Sequence, residues 1–290
     1  ACTQTAGQHY GKSFRKISSS LFNLMQLSGH IAPMQTSLSE GMAHYKLSFD
    51  DQQVDMNSLV GQYIEFNYNQ KIKCSYCGRA TKKSWSRGFC FPCSQSLARC
   101  DLCIMRPETC HYHLGTCREP EWGLSNCFKP HVVYLANTSG IKVGITTKDR
   151  VIGRWIEQGA VSALPILGVK SRRESGYFEV ALKQFVSDRS NWRKMLTNEV
   201  ELSDLVNKKN SLLKEVSGLI DDHDAQTLPN DVVNIDYPVL KYPTKIISLN
   251  FDKTTAISGV LNGIKGQYLL LDCGVLNVRK FSSYHLTLST

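Results

Sequence analysis

The stretch Cys74-Ser-Tyr-Cys77, followed by Cys90-Phe-Pro-Cys93 and Cys100-Asp-Leu-Cys103, places three Cys-x-x-Cys pairs within thirty residues. One such turn brings two sulfurs to one ion, and two turns complete a closed tetrahedral shell. Twelve residues separate the first pair from the second, which is zinc-ribbon spacing. The alternative, a disulfide framework, needs an oxidising compartment and is usual in small secreted chains. The sequence therefore predicts structural zinc bound by Cys74, Cys77, Cys90 and Cys93.

Eight further candidate ligands follow the ribbon and can supply one site or two. They are Cys100, Cys103, Cys110, His111, His113, Cys117, Cys127 and His131. The preferred second site combines Cys100, Cys103 and Cys110 with either His113 or Cys117, and a third can use Cys117, Cys127 and a histidine. An iron–sulfur cluster is the alternative for so many thiols. The expected cofactors are thus two or three structural Zn²⁺ ions.

Composition and charge favour a globular protein with an anionic partner. The 290 residues are 42% hydrophobic and 20% charged, and the formal net charge is +9. Residues 201–236 carry a net charge of −5, so the rest of the chain carries +14. Such a balance favours nucleic acid as a partner. The sequence has no run of about eighteen apolar residues, so no membrane span is expected, and it predicts no signal peptide and a cytoplasmic location.

A basic stretch surrounds the ribbon cysteines. No acidic residue occurs from 71 to 93, where aromatic residues alternate with positive charges. Basic side chains neutralise phosphates, and exposed aromatic rings stack on unpaired bases. In the alternative interpretation, the rings pack around the zinc and the charges form a solvated face. The candidate nucleic-acid-binding residues are Lys71, Lys73, Arg79, Lys82, Lys83 and Arg87.

The pattern of hydrophobic residues predicts an α+β, multi-domain chain with five parts. An arm and a small β unit occupy 1–73, a zinc-ribbon-like module 74–130, and an α/β domain 131–200. An amphipathic helix and linker follow at 201–228, and a C-terminal small β unit at 229–290. The last unit is expected to contain strands at 245–251, 266–272 and 275–279. The helix, over about 201–226, is expected to pack internally or, alternatively, to bind a protein partner.

Within 131–200, two apolar runs flanking a four-residue turn that ends in Gly140 predict a hairpin with strands at 132–136 and 141–146. A helix containing Arg154 follows, with Gly159 as its C-terminal cap. Pro165 is expected at the first position of a short strand, where a missing amide proton is tolerated. A second helix is expected over about 176–187, with Glu179 in its first turns.

These residues resemble the GIY-YIG endonuclease superfamily over about 131–192. The resemblance rests on Val132-Val-Tyr134, Lys142-Val-Gly144, Arg154 and Glu179. The stretch Glu179-Val-Ala-Leu-Lys-Gln-Phe185, followed by Asp188-Arg189 and Trp192, is similar to the metal-binding helix of phage-associated branches. The whole chain also resembles an uncharacterised bacterial Cys-rich, zinc-binding family of unknown function, through 117–123, 154–160 and 263–268.

The superfamily resemblance implies specific roles. Tyr134 would activate water as, or through, a general base, and Arg154 would stabilise phosphate oxygens. Glu179 would hold one Mg²⁺ or Mn²⁺, assisted by Asn191 twelve residues later. Lys142 stands where a catalytic tyrosine is usual; it can bind phosphate but does not simply replace a phenol. Tyr134, Arg154 and Glu179 are therefore expected to share one pocket.

The expected function is that of a zinc-containing nucleic-acid-binding protein with divalent-metal-dependent phosphodiesterase (nuclease) activity on DNA or RNA. Lys142 favours an alternative, in which a non-catalytic nucleic-acid-binding or adaptor protein retains the fold. A third hypothesis is a protein scaffold, for which the acidic helix at 201–226 is the only indication.

Overall fold

The computed structural model describes residues 25–290, and its fold is α+β, as the sequence predicted. The arm expected at 1–20, together with Cys2, lies outside the described residues. Within 25–290, no helix combines the length and the apolar character needed to cross a membrane.

The largest sheet has six antiparallel strands taken from both ends of the described chain. Its order is β1-β14-β5-β11-β12-β13. The strands are β1 (Gln26–His30), β5 (Tyr63–Ile72), β11 (Ala256–Lys265), β12 (Tyr268–Leu271), β13 (Gly274–Asn277) and β14 (Tyr284–Ser289). This shared sheet corrects the prediction of two separate small β units, one at 1–73 and one at 229–290. Hydrophobic alternation identified most of the strands but carried no information about which distant strand each one pairs with.

A second sheet forms the middle of the molecule, with the order β10-β8-β6-β7 and β9 also paired to β8. Its strands are β6 (His131–Asn137), β7 (Ile141–Thr147), β8 (Ser162–Val169), β9 (Gln226–Thr227) and β10 (Val233–Asn234). Alternate residues of β6 point into two different hydrophobic cores: Val133 and Leu135 into one, Val132 and Tyr134 into the other. Both faces of this central strand are therefore covered.

The remaining strands and the helices surround these sheets. A small sheet has the order β2-β3-β4, formed by β2 (Gln35–Ser39), β3 (Met42–Phe49) and β4 (Gln52–Asp55). The helices are α1 (Phe91–Ser96), α2 (Pro120–Cys127), α3 (Val151–Glu157), α4 (Arg172–Leu182), α5 (Trp192–Thr197), α6 (Leu205–Glu215) and α7 (Ser217–His223). Short 3₁₀ turns occupy 98–100, 102–104, 107–109 and 112–114. The predicted hairpin and the helix of Arg154 correspond to β6, β7 and α3, and Gly159 has the expected positive φ, +73°.

Three local expectations were wrong. Residues 201–226 form two helices, α6 and α7, which meet at Val216 with φ −114° and ψ 17°. Residues 245–251, predicted as a strand, make only an isolated bridge at Ser248. Pro165 lies inside β8, not at its start, next to the register shift between β6 and β8. On its other edge, β8 pairs with β10 before Pro165 and with β9 after it. The missing amide proton of Pro165 therefore interrupts neither the β8–β9 nor the β8–β10 hydrogen bonds.

The apolar face of α6 packs internally. Leu205, Leu212 and Val216 are buried in the same core as Val133 and Leu135 of β6. The internal-packing interpretation of this region is thus the one that the structure shows, and that face is not exposed to a partner.

Candidate functional site

The four ribbon cysteines lie together. Their Sγ atoms are all within 4.8 Å of one another, and those of Cys77 and Cys90 are 3.7 Å apart. A tetrahedral site with Zn–S bonds of about 2.3 Å separates neighbouring sulfurs by about 3.8 Å. Gly78, at φ +72°, closes the first turn, and Pro92 in the first turn of α1 starts the helix that carries Cys93. Cys74, Cys77, Cys90 and Cys93 can therefore hold a metal ion such as zinc.

Backbone amides near the ribbon cysteines favour the thiolate form of Cys74. Burial raises the pKa of the Cys74 thiol, but hydrogen bonds from the backbone near Cys77 and Cys90 outweigh burial and lower this pKa to about 6. The pKa of Cys93 is raised to about 12 by burial and by its neighbouring thiols. The arrangement thus stabilises one thiolate at neutral pH, and thiolates are the form that binds metal.

The structure divides the second set of candidate ligands. Cys103, Cys110, Cys117 and Cys127 line one small cavity, whereas Cys100 packs against the ribbon group. His113 is exposed, and its Nδ1 lies 3.2 Å from Arg173 Nη1. The preferred site, Cys100, Cys103 and Cys110 with either His113 or Cys117, is therefore only partly brought together: Cys103, Cys110 and Cys117 share the cavity, but Cys100 does not line it. A third ion stays a prediction.

A cleft of about 880 Å³ lies between the cysteine-rich module and the sheet of β6 and β7. Ten Lys or Arg and four Asp or Glu line it. The module contributes Arg87, Arg99, Arg106 and Lys129, and the opposite wall contributes Lys142, Arg150, Arg154, Arg172, Lys183 and Arg189. A concave surface with so strong an excess of one sign concentrates the field and attracts polyanions.

Three of the predicted site residues meet in this cleft: Lys142 from β7, Arg154 from α3 and Glu179 from α4. Lys142 is only 6% exposed, yet its ammonium group has no hydrogen-bond or ion-pair partner among residues 25–290. Burial, reinforced by the charge of Arg154, lowers the pKa of Lys142 to about 8. A buried amine without a partner, open to a cleft, is suited to binding an anion.

Glu179 lies beside a second carboxylate, Asp188. Burial raises the pKa of Glu179, and the charge of Asp188 raises it further. Asp188 is positioned by the neighbouring backbone, because Ser187 O accepts a hydrogen bond from Val143 N at 2.8 Å and fixes this segment along the edge of β7. The cleft therefore contains two nearby oxygen ligands of the kind that Mg²⁺ and Mn²⁺ prefer.

Tyr134 does not line the cleft. Its side chain is completely buried and crosses over Gly144, where an added Cβ would lie 2.6 Å from the phenol oxygen. The hydroxyl donates to Gln158 Oε1 at 3.0 Å. With the Gln158 amide turned, its oxygen also accepts from Arg154 Nη2 at 3.0 Å. Tyr134 therefore reaches the cleft only through Gln158 and Arg154, which corrects the expectation that it shares the pocket directly.

Of the remaining predicted site residues, only Arg87 lines the cleft in the described part of the chain. Asn191 is the N-cap of α5, where its Oδ1 accepts from Lys194 N at 3.2 Å, and it does not line the cleft. Within the basic stretch, Arg87 lines the cleft, whereas Lys82 lines a separate shallow surface and the Lys83 ammonium lies 4.4 Å from the centre of the Trp85 ring. Lys71, Lys73 and Arg79 also lie outside the lining of the cleft.

Sequence reasoning missed Asp188, Gln158 and Arg172 as parts of this site. Asp188-Arg189 supported the superfamily resemblance, but nothing in the sequence alone placed Asp188 against β7. Arg172 precedes Glu179 by seven residues, two turns along the same helix face. That spacing was the available signal, since both side chains line the cleft.

Comparison with known proteins identifies a family but no function. No curated protein and no solved structure matches the chain. One family model, described as "protein of unknown function (DUF2797)", matches residues 61–286. This range includes the ribbon cysteines, both walls of the cleft and most of the six-stranded sheet, and so the chain belongs to the DUF2797 family.

Proposed function

We propose that the cleft binds the backbone of a nucleic acid and hydrolyses a phosphodiester bond there, using a divalent cation held by Glu179. The observation that carries this proposal is the meeting of Lys142, Arg154 and Glu179 in one strongly basic cleft. The GIY-YIG resemblance supports the same assignment, because these three residues occupy its motif positions.

Each residue has a task that follows from its surroundings. The ammonium of Lys142 and the guanidinium of Arg154 bind phosphate oxygens and orient the phosphate between the two walls. Arg154 Nη1 lies 3.8 Å from Glu157 Oε2, and Arg279 Nη2 lies 2.6 Å from the same oxygen. These ion pairs hold the Arg154 side chain in place. Trp122 lines the opposite wall and offers a ring on which a base can stack.

The carboxylates provide the cation site. Glu179 has no hydrogen-bond or ion-pair partner among residues 25–290, so its oxygens are available to a metal. A divalent cation bound there stabilises negative charge on the phosphate and on the leaving oxygen. Asp188 strengthens the site because repulsion between two neighbouring carboxylates is relieved when a cation binds.

One observation favours a second candidate function, that of a non-catalytic nucleic-acid-binding protein. The Tyr134 hydroxyl is covered by Gln158 and Arg154, so no tyrosine among residues 25–290 lines the cleft to assist water. In this alternative, Lys142 and Arg154 bind phosphate but no bond is broken.

A paired cleavage and binding assay distinguishes the two functions. Purified protein is incubated with end-labelled single- and double-stranded DNA and RNA in Mg²⁺ or Mn²⁺, and affinity is measured by fluorescence anisotropy. Catalysis predicts cleavage that EDTA abolishes and that Glu179→Gln reduces by about 100-fold or more, with binding retained. The exposed Glu199 provides the matched control, Glu199→Gln, which should cleave normally.

The outcomes separate cleanly. Binding without cleavage, weakened by Lys142→Met, supports the non-catalytic function. Cleavage that survives Glu179→Gln excludes the assigned cation site. Absence of both cleavage and salt-dependent binding excludes both candidates.

We also propose that the ion of the ribbon group is zinc and that its role is structural. The sulfur spacing matches the tetrahedral Zn–S geometry, and four protein ligands leave no open position for a substrate. Elemental analysis of the purified chain tests this identity, and iron in place of zinc would contradict it.

A further inference from the structure

Residues 101–130 fold without a hydrophobic core. Only Pro107 and Gly123 are buried in this segment, all of which the structure describes. Large apolar side chains point outward, among them Leu102 at 61% exposed and Met105 at 71% exposed. A stretch of thirty residues with short 3₁₀ turns and one helix of eight residues cannot obtain its stability from so little apolar burial. Small units of this kind are usually held by disulfides or by a metal.

Four thiols from different parts of this segment surround one cavity. The cavity is lined by Cys103, Cys110, Cys117 and Cys127. Its volume of about 20 Å³ leaves room for one water-sized particle. Gly123 lets α2 approach closely, since an added Cβ would lie 3.2 Å from the Tyr112 ring and 3.5 Å from Cys117 Sγ. The close approach of α2 therefore brings it against both the Tyr112 ring and one of the cavity thiols.

A tighter group, Asp101, Cys103 and His111, has ligand atoms within 4.8 Å of one another. Its polar members, however, already have partners. Asp101 Oδ2 is 2.7 Å from Arg118 Nε, and His111 Nδ1 is 2.7 Å from Thr116 Oγ1. Asp101 also caps the turn that carries Cys103, because Asp101 Oδ1 accepts a hydrogen bond from the Cys103 backbone amide at 3.4 Å. These contacts favour a supporting role for Asp101 and His111 around the thiols.

We propose that Cys103, Cys110, Cys117 and Cys127 bind a second structural zinc ion. Four thiolates and one Zn²⁺ carry a net charge of −2, and a partly buried site of that charge is stabilised by nearby positive groups. Arg172 provides one: it lies beside Cys103 and Cys127, and its Nη2 donates to Ile104 O at 2.7 Å. Arg172 Nε is buried and has no hydrogen-bond partner in the described part of the chain, so it is available to a thiolate sulfur.

This second site supports one wall of the cleft. Cys127 lines both the sulfur cavity and the cleft, and so does Trp122. The ion thereby fixes the helix that presents Trp122, and Arg172 connects the sulfur site to the α4 helix that carries Glu179.

Metal counting on the full chain tests the proposal. The native protein should contain two zinc equivalents by elemental analysis. The double variant Cys117→Ser/Cys127→Ser should contain one, and the control Cys100→Ser/His111→Asn should contain two. Reconstitution with Co²⁺ should give the absorption of two tetrahedral thiolate sites in the native chain and of one in the first variant. One equivalent in the native protein, or loss of an equivalent in the control alone, would overturn the assignment.

Thiol protection provides a readout that does not depend on whether a variant folds. In the native zinc-loaded chain, iodoacetamide should modify the exposed Cys273 and leave the four proposed ligands unmodified, as mapped by mass spectrometry. A strong chelator should expose all four thiols together. Modification of these thiols at the rate of Cys273 while zinc is bound would refute the site.

Discussion

Lys142 and Glu179 face the same cleft from different elements, and the charge of each favours the ionised form of the other. The Glu179 carboxylate raises the pKa of Lys142 against the dominant effect of burial, and Lys142 lowers the pKa of Glu179 against burial and Asp188. Neither side chain forms an ion pair within 4.0 Å in the described part of the chain. The two groups are therefore close enough to support each other's charge while leaving both free for a phosphate and a cation.

Nucleic-acid binding should weaken as the pH rises through about 8, because Lys142 then loses its proton. A bound phosphate favours the protonated amine, so the midpoint in the complex should lie above this value. Lys142→Met should bind about tenfold more weakly at neutral pH, the equivalent of one charged hydrogen bond. Lys142→Arg retains its charge and should lose the pH dependence in anisotropy titrations. An unchanged pH profile in Lys142→Arg would assign the titration to another group.

Replacing Lys265 should stabilise the protein at neutral pH. The side chain is fully buried, its Nζ donates to Asn198 Oδ1 at 2.7 Å, and burial lowers its pKa to about 8. Since the unfolded pKa is about 10.4, the unfolded state binds more protons between these two values. The cost is therefore complete below pH 8 and disappears as the pH rises through this window.

Lys265→Met should accordingly raise the free energy of unfolding by about 1–3 kcal/mol at pH 7 and by less at higher pH. Urea unfolding at several pH values provides the measurement, with the exposed Lys253→Met as the control. A destabilised Lys265→Met at pH 7 would show that its contacts with Asn198 and the Tyr237 ring outweigh the cost of burial.

Gly176→Ala should separate α4 from the cysteine-rich module. An added Cβ would lie 2.6 Å from Glu108 N and 2.8 Å from Pro107 Cβ, so backbone must move. We expect a loss of about 1–3 kcal/mol in stability and weaker nucleic-acid binding. Gly218 lies in α7 with nothing within 4 Å of an added Cβ, so Gly218→Ala should stabilise the helix by up to about 1 kcal/mol. Equal effects of the two changes in thermal unfolding would argue against a tight contact at Gly176.

Charge reversal in the cleft should reduce the salt dependence of nucleic-acid binding more than reversal at the ribbon. Arg99 and Arg106 line the cleft, whereas Lys82 and Lys83 do not. Arg99→Glu/Arg106→Glu should lower the slope of log affinity against log salt by about 1–2, because each lost phosphate contact contributes a little under 1. Lys82→Glu/Lys83→Glu should change it less. The reverse ranking would move the binding surface to the basic stretch that the sequence alone favoured.

Local patterns in the sequence predicted local structure well. The Cys-x-x-Cys spacing identified the ribbon group, and two apolar runs around a turn ending in Gly140 identified the β6–β7 hairpin, because a turn or a hairpin is fixed by neighbouring residues. The pairing of β5 with β11 and β14 could not be predicted, since it joins residues far apart in the chain. For the same reason the sequence could not sort the second cysteine set: Cys100 and Cys103 are neighbours in the chain but face different groups.

The six-stranded sheet also constrains how the protein is made. Strand β5 pairs only with β11 and β14, so during translation it stays without its partners until residues 256–289 have been synthesised. Its inward residues Ile64 and Phe66 are fully buried in the finished fold but remain exposed in the nascent chain for most of synthesis. The β6–β7–β8 sheet and α4, in contrast, can assemble as soon as they leave the ribosome. The wall of the cleft that carries Lys142 and Glu179 can therefore form early, whereas the apolar residues of β5 are exposed to aggregation until the last strand has been made.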